Sequence, residues 1–271
     1  EIPALPSGEM ITVEKDGDNI KASPDGKHVL FTREVKLQNI TGAERYPALT
    51  KSNIQVYDNL NQRHWDTWED GSYSHVFVAD LVAGFALREK DIMPNEMFDC
   101  PQKPFGGDED VIFSPDGNQI LYVCKKKTGK EYAISTNTDI YVYDIASGLT
   151  INLTEDMKGY DTNPLFSKDG TKLAWLSMQR DGYEADKNEL WVMDWNTKTK
   201  TCVTRDWDET VSSFTWNKNN QSLYFIAPFH GTEQLFEVSL TSTTNDDVES
   251  EKKSSVRQIT KGQFDITGLA D

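Results

Sequence analysis

A four-residue turn sequence recurs along the chain and limits what the chain can fold into. Ser-Pro-Asp-Gly occupies 23–26 and 114–117, Ser-Lys-Asp-Gly occupies 167–170, and a fainter copy, Asn-Lys-Asn-Asn, occupies 217–220. Proline presets the second position of a type I turn, aspartate tolerates the third and glycine suits the fourth. A short β-branched or aromatic run follows each copy, at 28–32, 119–123, 172–176 and 222–226. Each copy therefore predicts a tight hairpin between two strands.

The spacing of the turns predicts a repeated sheet. Successive copies lie 91, 53 and 50 residues apart, and each repeat adds a third strand, at 75–80, 139–144, 189–194 and 234–239. Outer strands are predicted at 150–154, 201–204 and 256–260. A period near 50 is somewhat longer than the ~40–45 of a WD-type β-propeller blade. We therefore predict an all-β fold, a partial β-propeller of about four four-stranded blades, at 15–100, 104–155, 160–205 and 209–262.

Two features lie outside the regular repeat. Segment 264–268 resembles the first strand of a fifth blade, so we expect the chain to be part of a longer protein. The long first interval requires an insertion in the first blade, placed at 34–74. Within it, apolar and aromatic residues recur at spacings of three and four, which predicts a helix with one apolar face. These residues are Ile54, Tyr57, Leu60, His64 and Trp68.

Charge and composition exclude several classes of partner. The net charge of −16 argues against nucleic acid, which requires clustered lysine and arginine. The one notable basic cluster, 125–127, is interpreted as solvating a hairpin. No apolar run approaches the ~18 residues of a membrane span. The three cysteines show neither metal-ligand spacing nor a disulfide framework, and Cys124 and Cys202 are predicted to be buried. We expect no metal and no cofactor.

Motifs for catalysis are missing from the sequence. It contains no Gly-x-Ser-x-Gly, no His-Glu-x-x-His, no phosphate-binding glycine loop and no Cys-x-x-Cys. Of the four histidines, His28 and His75 fall in predicted strands, His230 in a turn and His64 in the insertion. We therefore expect this chain to hold no catalytic triad and to hydrolyse no peptide by itself.

Beside the repeated turns, one segment of the insertion carries a family resemblance. Arg-His-Trp-Asp-x-Trp-x-Asp-Gly at 63–71, followed by His-Val-Phe-Val at 75–78, closely resembles the N-terminal propeller of prolyl oligopeptidase family serine peptidases. Within that family, the stretch at 63–71 resembles the dipeptidyl peptidase V and acylaminoacyl-peptidase branch. The resemblance implies seven or eight blades followed by an α/β-hydrolase domain, absent from this chain, that carries the catalytic serine, aspartate and histidine. It also implies that bacterial members are exported, so we expect a periplasmic or secreted protein.

The resemblance further implies a supporting role for this chain: a propeller that covers the active site, excludes folded proteins and helps to hold the N-terminal end of a peptide substrate. For the predicted helix, two roles remain open. Either its apolar face packs on its own blade, or it projects toward the hydrolase domain. In the second case Arg63, His64, Trp65 and Trp68 are candidates for lining the substrate cavity.

Acidic residues also recur just before the first strand of each repeat. Because first strands line the channel of a propeller, such carboxylates would cluster at one mouth and attract a peptide α-amine. Glu109 and Asp110 are the candidates taken from this set, and solvated loop residues are the alternative. The acid-rich loop at 181–189 lacks the spacing of a calcium loop, so a solvated hairpin is preferred. The recurring acids are Asp18, Asp108, Glu109, Asp110, Asp161, Asp208, Glu209 and Asp265.

Two classes of function follow from the sequence. The first is the propeller of a serine exopeptidase that removes dipeptides or acylated residues from peptide N termini. The second is a non-catalytic propeller of the TolB or WD-like kind that acts as a binding platform. Continuation of the gene beyond 271 into further blades and a Gly-x-Ser-x-Gly motif would separate them.

Overall fold

The computed structural model describes residues 12, 17–60, 62–64, 66–240 and 256–269. They form four antiparallel four-stranded sheets, each following chain order, and one small hairpin. Sheet 1 contains β1 (Asp18–Ala22), β2 (His28–Lys36), β5 (Ser72–Val82) and β6 (Phe85–Asp91), and the hairpin of β3 (Arg63–His64) and β4 (Thr67–Trp68) lies between β2 and β5. Sheet 2 contains β7 (Val111–Phe113), β8 (Gln119–Cys124), β9 (Asp139–Asp144) and β10 (Thr150–Asn152).

The other two sheets repeat the same meander. Sheet 3 contains β11 (Asp161–Phe166), β12 (Lys172–Ser177), β13 (Glu189–Asp194) and β14 (Lys200–Cys202). Sheet 4 contains β15 (Ser213–Trp216), β16 (Ser222–Phe229), β17 (Thr232–Ser239) and β18 (Val256–Gln258). The predicted second, third and outer strands are therefore confirmed. The sequence reasoning missed β6, the outer strand of sheet 1.

The three turns that begin with serine have the same hydrogen bonds. In the first, the Gly26 N–H donates to the Ser23 carbonyl (2.9 Å), which is the closing bond of a β-turn. The Ser23 hydroxyl donates to the Asp25 carboxylate (2.6 Å) and accepts from the His28 N–H (2.9 Å). The turns that begin at Ser114 and Ser167 repeat these contacts. The turn motif therefore ends one strand and starts the next in register.

The chain divides into two compact units, 1–156 and 157–271, each with its own apolar core. In the first unit, one core cluster joins sheets 1 and 2 through fully buried side chains that include Leu30, Val76 and Tyr122. In the second, sheets 3 and 4 share a cluster that includes Phe225 and Phe236. Burying a side chain of this size contributes about 1.5–3 kcal/mol.

The insertion does not form the predicted helix. Its one helix is the four-residue α1 (Gly42–Arg45), and among the described residues from 46 to 71 the regular structure is the hairpin of β3 and β4. The apolar residues of the predicted face are half exposed: Ile54 at 46%, Leu60 at 53% and Trp68 at 50%. A helix of this length is marginal unless its apolar face is buried, so the three-and-four spacing alone did not determine the structure.

The predicted start of a fifth blade, at 264–268, stays a prediction. Residues 259–269 contain no strand and lie against β17. The Gln234 side-chain amide donates to the Phe264 carbonyl (2.7 Å), and the Ile266 N–H donates to the Glu233 carbonyl (2.9 Å). A strand requires a neighbouring strand for its backbone groups, and within the described chain none pairs with this segment.

Candidate functional site

The hairpin of β3 and β4 carries most of the residues that the sequence nominated. The Arg63 guanidinium lies over the ring of Trp68, 5.3 Å from its centroid, and that ring stacks on Tyr57 at 6.1 Å. The His64 ring meets the exposed Phe105 edge-on at 6.1 Å. Trp65 lies outside the described residues. The structure therefore brings Arg63 and Trp68 together and places His64 against Phe105, with the three nominated residues on a hairpin rather than on a helix.

A cleft opens beside this hairpin. Its walls come from the insertion, from the loop between β6 and β7, and from the connection between β8 and β9, which includes α2 (Gly129–Ile134). The apolar lining includes Ile40, Leu60 and Met97. The polar lining includes three tyrosines and several charged residues. These are Tyr57, Tyr73, Tyr132, Arg45, Asp58, Glu69, Asp99 and Lys127.

Hydrogen bonds fix the tyrosines around the cleft. The Tyr57 hydroxyl donates to the backbone carbonyl of Glu69 at 2.8 Å. This contact ties the segment before β3 to the residue that follows β4. The Tyr73 hydroxyl donates to the Gln38 side chain (3.1 Å), and the Gln102 amide donates to the Tyr132 hydroxyl (3.1 Å). Burial, reinforced by nearby carboxylates, raises the pKa of Tyr73, so the hydroxyl keeps its proton.

Two of the three acids that line the cleft are already paired. Asp58 binds the Arg45 guanidinium. Asp99, 3% exposed, accepts the Ser74 N–H (2.8 Å) and pairs with the Lys103 ammonium (3.1 Å). The same ammonium reaches Glu34 at 2.9 Å. Lys103 therefore neutralises Asp99 and fixes the loop that forms one wall of the cleft.

Glu69 is different because its carboxylate has no partner within the part of the chain that the structure describes. The side chain is half-buried, and the hydrogen bonds of this residue are made by its backbone. Burial raises the pKa of Glu69, the charge of Asp99 raises it further, and Lys103 partly opposes both. An unpaired half-buried carboxylate is costly in the free protein, and a cation in the cleft would relieve that cost.

Among the cations of the lining, Lys127 is also unpaired over the described ranges. It belongs to the basic cluster 125–127, which was predicted to solvate a hairpin. That role is wrong for the other two lysines of the cluster, because each makes a specific contact. Lys125 lies over the Tyr132 ring at 4.6 Å. Lys126 pairs with Glu96 at 2.6 Å and lies 4.3 Å from the centroid of the Tyr141 ring.

The other two nominated acids lie elsewhere. Glu109 and Asp110 belong to a 3-10 turn at Asp108–Asp110 that precedes β7, the edge strand of sheet 2. Glu109 is exposed and Asp110 is buried, and neither lines the cleft. Lys21 of β1 reaches this turn, where its ammonium donates to the Val111 carbonyl (3.0 Å) and lies 3.7 Å from the Asp108 carboxylate. The clustering of the recurring acids at a channel mouth stays a prediction.

Sequence reasoning therefore nominated the hairpin and missed most of the cleft. Glu69 stands between Trp68 and Asp70, inside the segment that carried the family resemblance. Asp99 and Lys127 come from distant parts of the chain, and no local spacing marks them. Over the described residues, no group of three or more potential metal ligands was found. In the same part of the chain, the helices are too short and too polar to cross a membrane.

Comparison with known proteins agrees with the resemblance in the sequence. No family model matches the chain. Dipeptidyl-peptidase 5 of Porphyromonas gingivalis is 41% identical over 92% of this chain, and dipeptidyl-peptidase 5 of Schizosaccharomyces pombe is 30% identical over 70%. The chain spans about a third of the length of these relatives, 34% and 29% respectively.

The solved structures that resemble the chain show its fold. An acylaminoacyl peptidase of Pyrococcus horikoshii aligns with a TM-score of 0.59 and 16% identity, covering 95% of this chain and 34% of that one. Four-stranded antiparallel meanders in succession define a chain of the β-propeller type. It belongs to the dipeptidyl peptidase V branch of the prolyl oligopeptidase family, and its fold is that of part of a propeller.

Proposed function

We propose that this chain is the substrate-side propeller of a serine exopeptidase that removes dipeptides or acylated residues from peptide N termini. The 41% identity to a protein named dipeptidyl-peptidase 5 supports this class of activity. In the proposal, the catalytic serine, aspartate and histidine belong to an α/β-hydrolase domain outside this chain. The propeller limits access to that domain and helps to hold the N-terminal end of the peptide.

The proposal rests on the unpaired carboxylate of Glu69. Its half-buried carboxylate faces the cleft without a donor among the described residues, whereas Asp58 and Asp99 are paired. A peptide α-ammonium supplies three donors and a positive charge, so it would both pair the carboxylate and offset its burial. Arg63, His64, Trp65 and Trp68 would form the aromatic approach to the cleft. Glu109 and Asp110 would add negative potential that attracts the ammonium.

The test is Glu69→Gln in the full-length peptidase, which keeps the shape and removes the charge. A hydrogen bond to a charged group contributes about 1.5–3 kcal/mol, so KM for a free-amine dipeptidyl substrate should rise about tenfold to hundredfold. The matched control is Glu131→Gln, on the exposed face of α2 and outside the cleft. An unchanged KM in Glu69→Gln would contradict the proposed anchor.

A serine-directed fluorophosphonate separates the two classes of function. Covalent labelling of the full-length protein, with loss of activity, is expected for the exopeptidase. Absence of labelling would instead favour the non-catalytic binding platform. We also infer export to the periplasm or outside the cell, on the family resemblance alone, and fractionation of the source cells would test it.

A further inference from the structure

The cleft holds two unpaired charges of opposite sign. Over the described ranges, Arg45 pairs with Asp58 and Lys103 pairs with Asp99, which leaves the Glu69 carboxylate and the Lys127 ammonium without partners. Both side chains are half-buried. They do not pair with each other, although both line the same cleft. A ligand that satisfies both charges must therefore carry a cation and an anion at separated positions.

The two charges lie on separate parts of the first unit. Glu69 follows β4 in the insertion of sheet 1, and its backbone carbonyl is held by the Tyr57 hydroxyl. Lys127 follows β8 of sheet 2, next to the segment in which Lys125 packs on Tyr132. The two charges thus come from two different segments of the chain, both of which line the cleft.

We propose that the cleft binds a free dipeptide as a zwitterion, with the α-ammonium on Glu69 and the α-carboxylate on Lys127. Two residues of extended chain span about 7 Å, which separates the terminal charges by more than an ion-pair distance. The apolar lining residues Ile40, Leu60 and Met97 favour a dipeptide with uncharged side chains. This inference rests on the role of Glu69 in the proposed function and adds a second determinant, Lys127.

A consequence for the peptidase is inhibition by its own product. A dipeptide released from a longer substrate gains a free carboxylate at the moment of cleavage, and that carboxylate is the group that Lys127 would recognise. A longer peptide has an amide at this position and cannot make the same ion pair. The released dipeptide would therefore compete with the next substrate for the cleft.

The probe is leucyl-alanine, titrated into the 271-residue chain by isothermal calorimetry. N-acetyl-leucyl-alanine lacks the ammonium and leucyl-alanine amide lacks the carboxylate, so each should bind about tenfold or more weakly than the free dipeptide. Lys127→Gln should weaken the binding of leucyl-alanine by the same factor and leave the affinity for leucyl-alanine amide unchanged. Glu69→Gln should weaken the binding of leucyl-alanine and of its amide by similar factors.

Controls come from the same segment of the chain. Lys130→Gln and Glu131→Gln remove exposed charges outside the cleft and should leave binding unchanged, and thermal unfolding of every variant checks that it is folded. Equal affinity for leucyl-alanine and its amide, or no binding of leucyl-alanine, would overturn the proposal.

The outcome is separable from that of the proposed function. If the amide and the dipeptide bind equally and Glu69→Gln still raises KM in the full-length enzyme, the anchor stands and the carboxylate site fails. If leucyl-alanine binds through both charges but Glu69→Gln leaves the KM of the full-length enzyme unchanged, the cleft is a zwitterion site without the proposed role in the peptidase.

Discussion

Single residues in the repeated turns have roles that the motif alone did not reveal. Proline, aspartate and glycine predict the turn, but the serine that precedes them both donates to the aspartate and accepts from the following strand. The hydroxyl of Ser23 and the N–H of Lys27 lower the pKa of Asp25 to about 2, although burial opposes the shift. The turn is thus a small network of side-chain and backbone bonds as well as a backbone preference.

Gly26 provides a test of the backbone requirement at these turns. Its φ is +70°, and a Cβ added there would meet no atom within 4 Å. The cost of a substitution therefore comes from the backbone conformation and not from contacts with neighbouring atoms. An L-residue in this conformation costs about 1–2 kcal/mol, and Gly26→Ala should lower the free energy of unfolding by that amount. Gly268→Ala, where φ is not positive and space is also open, is the control. Equal urea midpoints for the two variants would contradict this account.

His75 on β5 is predicted to stabilise the chain in a pH-dependent way. It is fully buried, and its two ring nitrogens contact the Asp91 carboxylate (2.8 Å) and the Glu96 carbonyl (2.7 Å). Burial alone would lower the pKa of His75, but the bond and charge of Asp91 and the Glu96 carbonyl raise it above 6.5 overall. Since the folded chain holds the proton more tightly, this stabilisation is complete below the unfolded pKa and is lost as pH rises through the folded pKa.

The measurement is urea unfolding of the wild type and Asp91→Asn at about pH 6 and about pH 9. Asparagine keeps an oxygen that can accept the Met93 N–H, which Asp91 accepts at 2.8 Å, and removes the charge beside His75. The difference in unfolding free energy between the two proteins should be larger at the lower pH. A difference that grows with pH would show that the proton on His75 does not stabilise the fold.

Whole strands were more predictable than the insertion, for a physical reason. β8, β12 and β16 each follow a turn with fixed hydrogen bonds and bury apolar residues on both sides, so local pattern and tertiary packing agree. In the insertion they disagree. The spacing of Ile54, Leu60 and Trp68 fits a helix, but all three are half exposed, and backbone pairing gives a hairpin instead. The cleft was less predictable still, because its charges are distant in the sequence.

Trp68→Ala distinguishes a packing role of the hairpin from a substrate role. The ring is half exposed and stacks on Tyr57 while the Arg63 guanidinium covers it, so its loss should cost about 1 kcal/mol of stability. If the hairpin forms the approach to the cleft, kcat/KM of the full-length peptidase should also fall severalfold. Phe85→Ala, at an equally exposed ring on β6 outside the cleft, is the comparison. Unchanged kcat/KM in Trp68→Ala would leave the hairpin with a packing role only.

Among the described residues, two apolar clusters that share no residue lie in different compact units. The cluster around Leu30 and Tyr122 belongs to the first compact unit, and the cluster around Phe225 and Phe236 belongs to the second. In repeat folds, stability is approximately a sum over repeats and the interfaces between neighbours. Each unit should therefore open with a free energy that depends mainly on its own core.

Phe225→Ala tests whether the units open separately. The ring is fully buried and stacks on Phe236 at 5.5 Å, so its removal should cost about 3–5 kcal/mol. Amide hydrogen exchange, followed by mass spectrometry, should then accelerate in the strands of sheets 3 and 4 and remain unchanged in sheets 1 and 2. Leu30→Ala should produce the reverse pattern. Equal acceleration in all four sheets, for either variant, would show one cooperative unit, because loss of one core would then unfold the other.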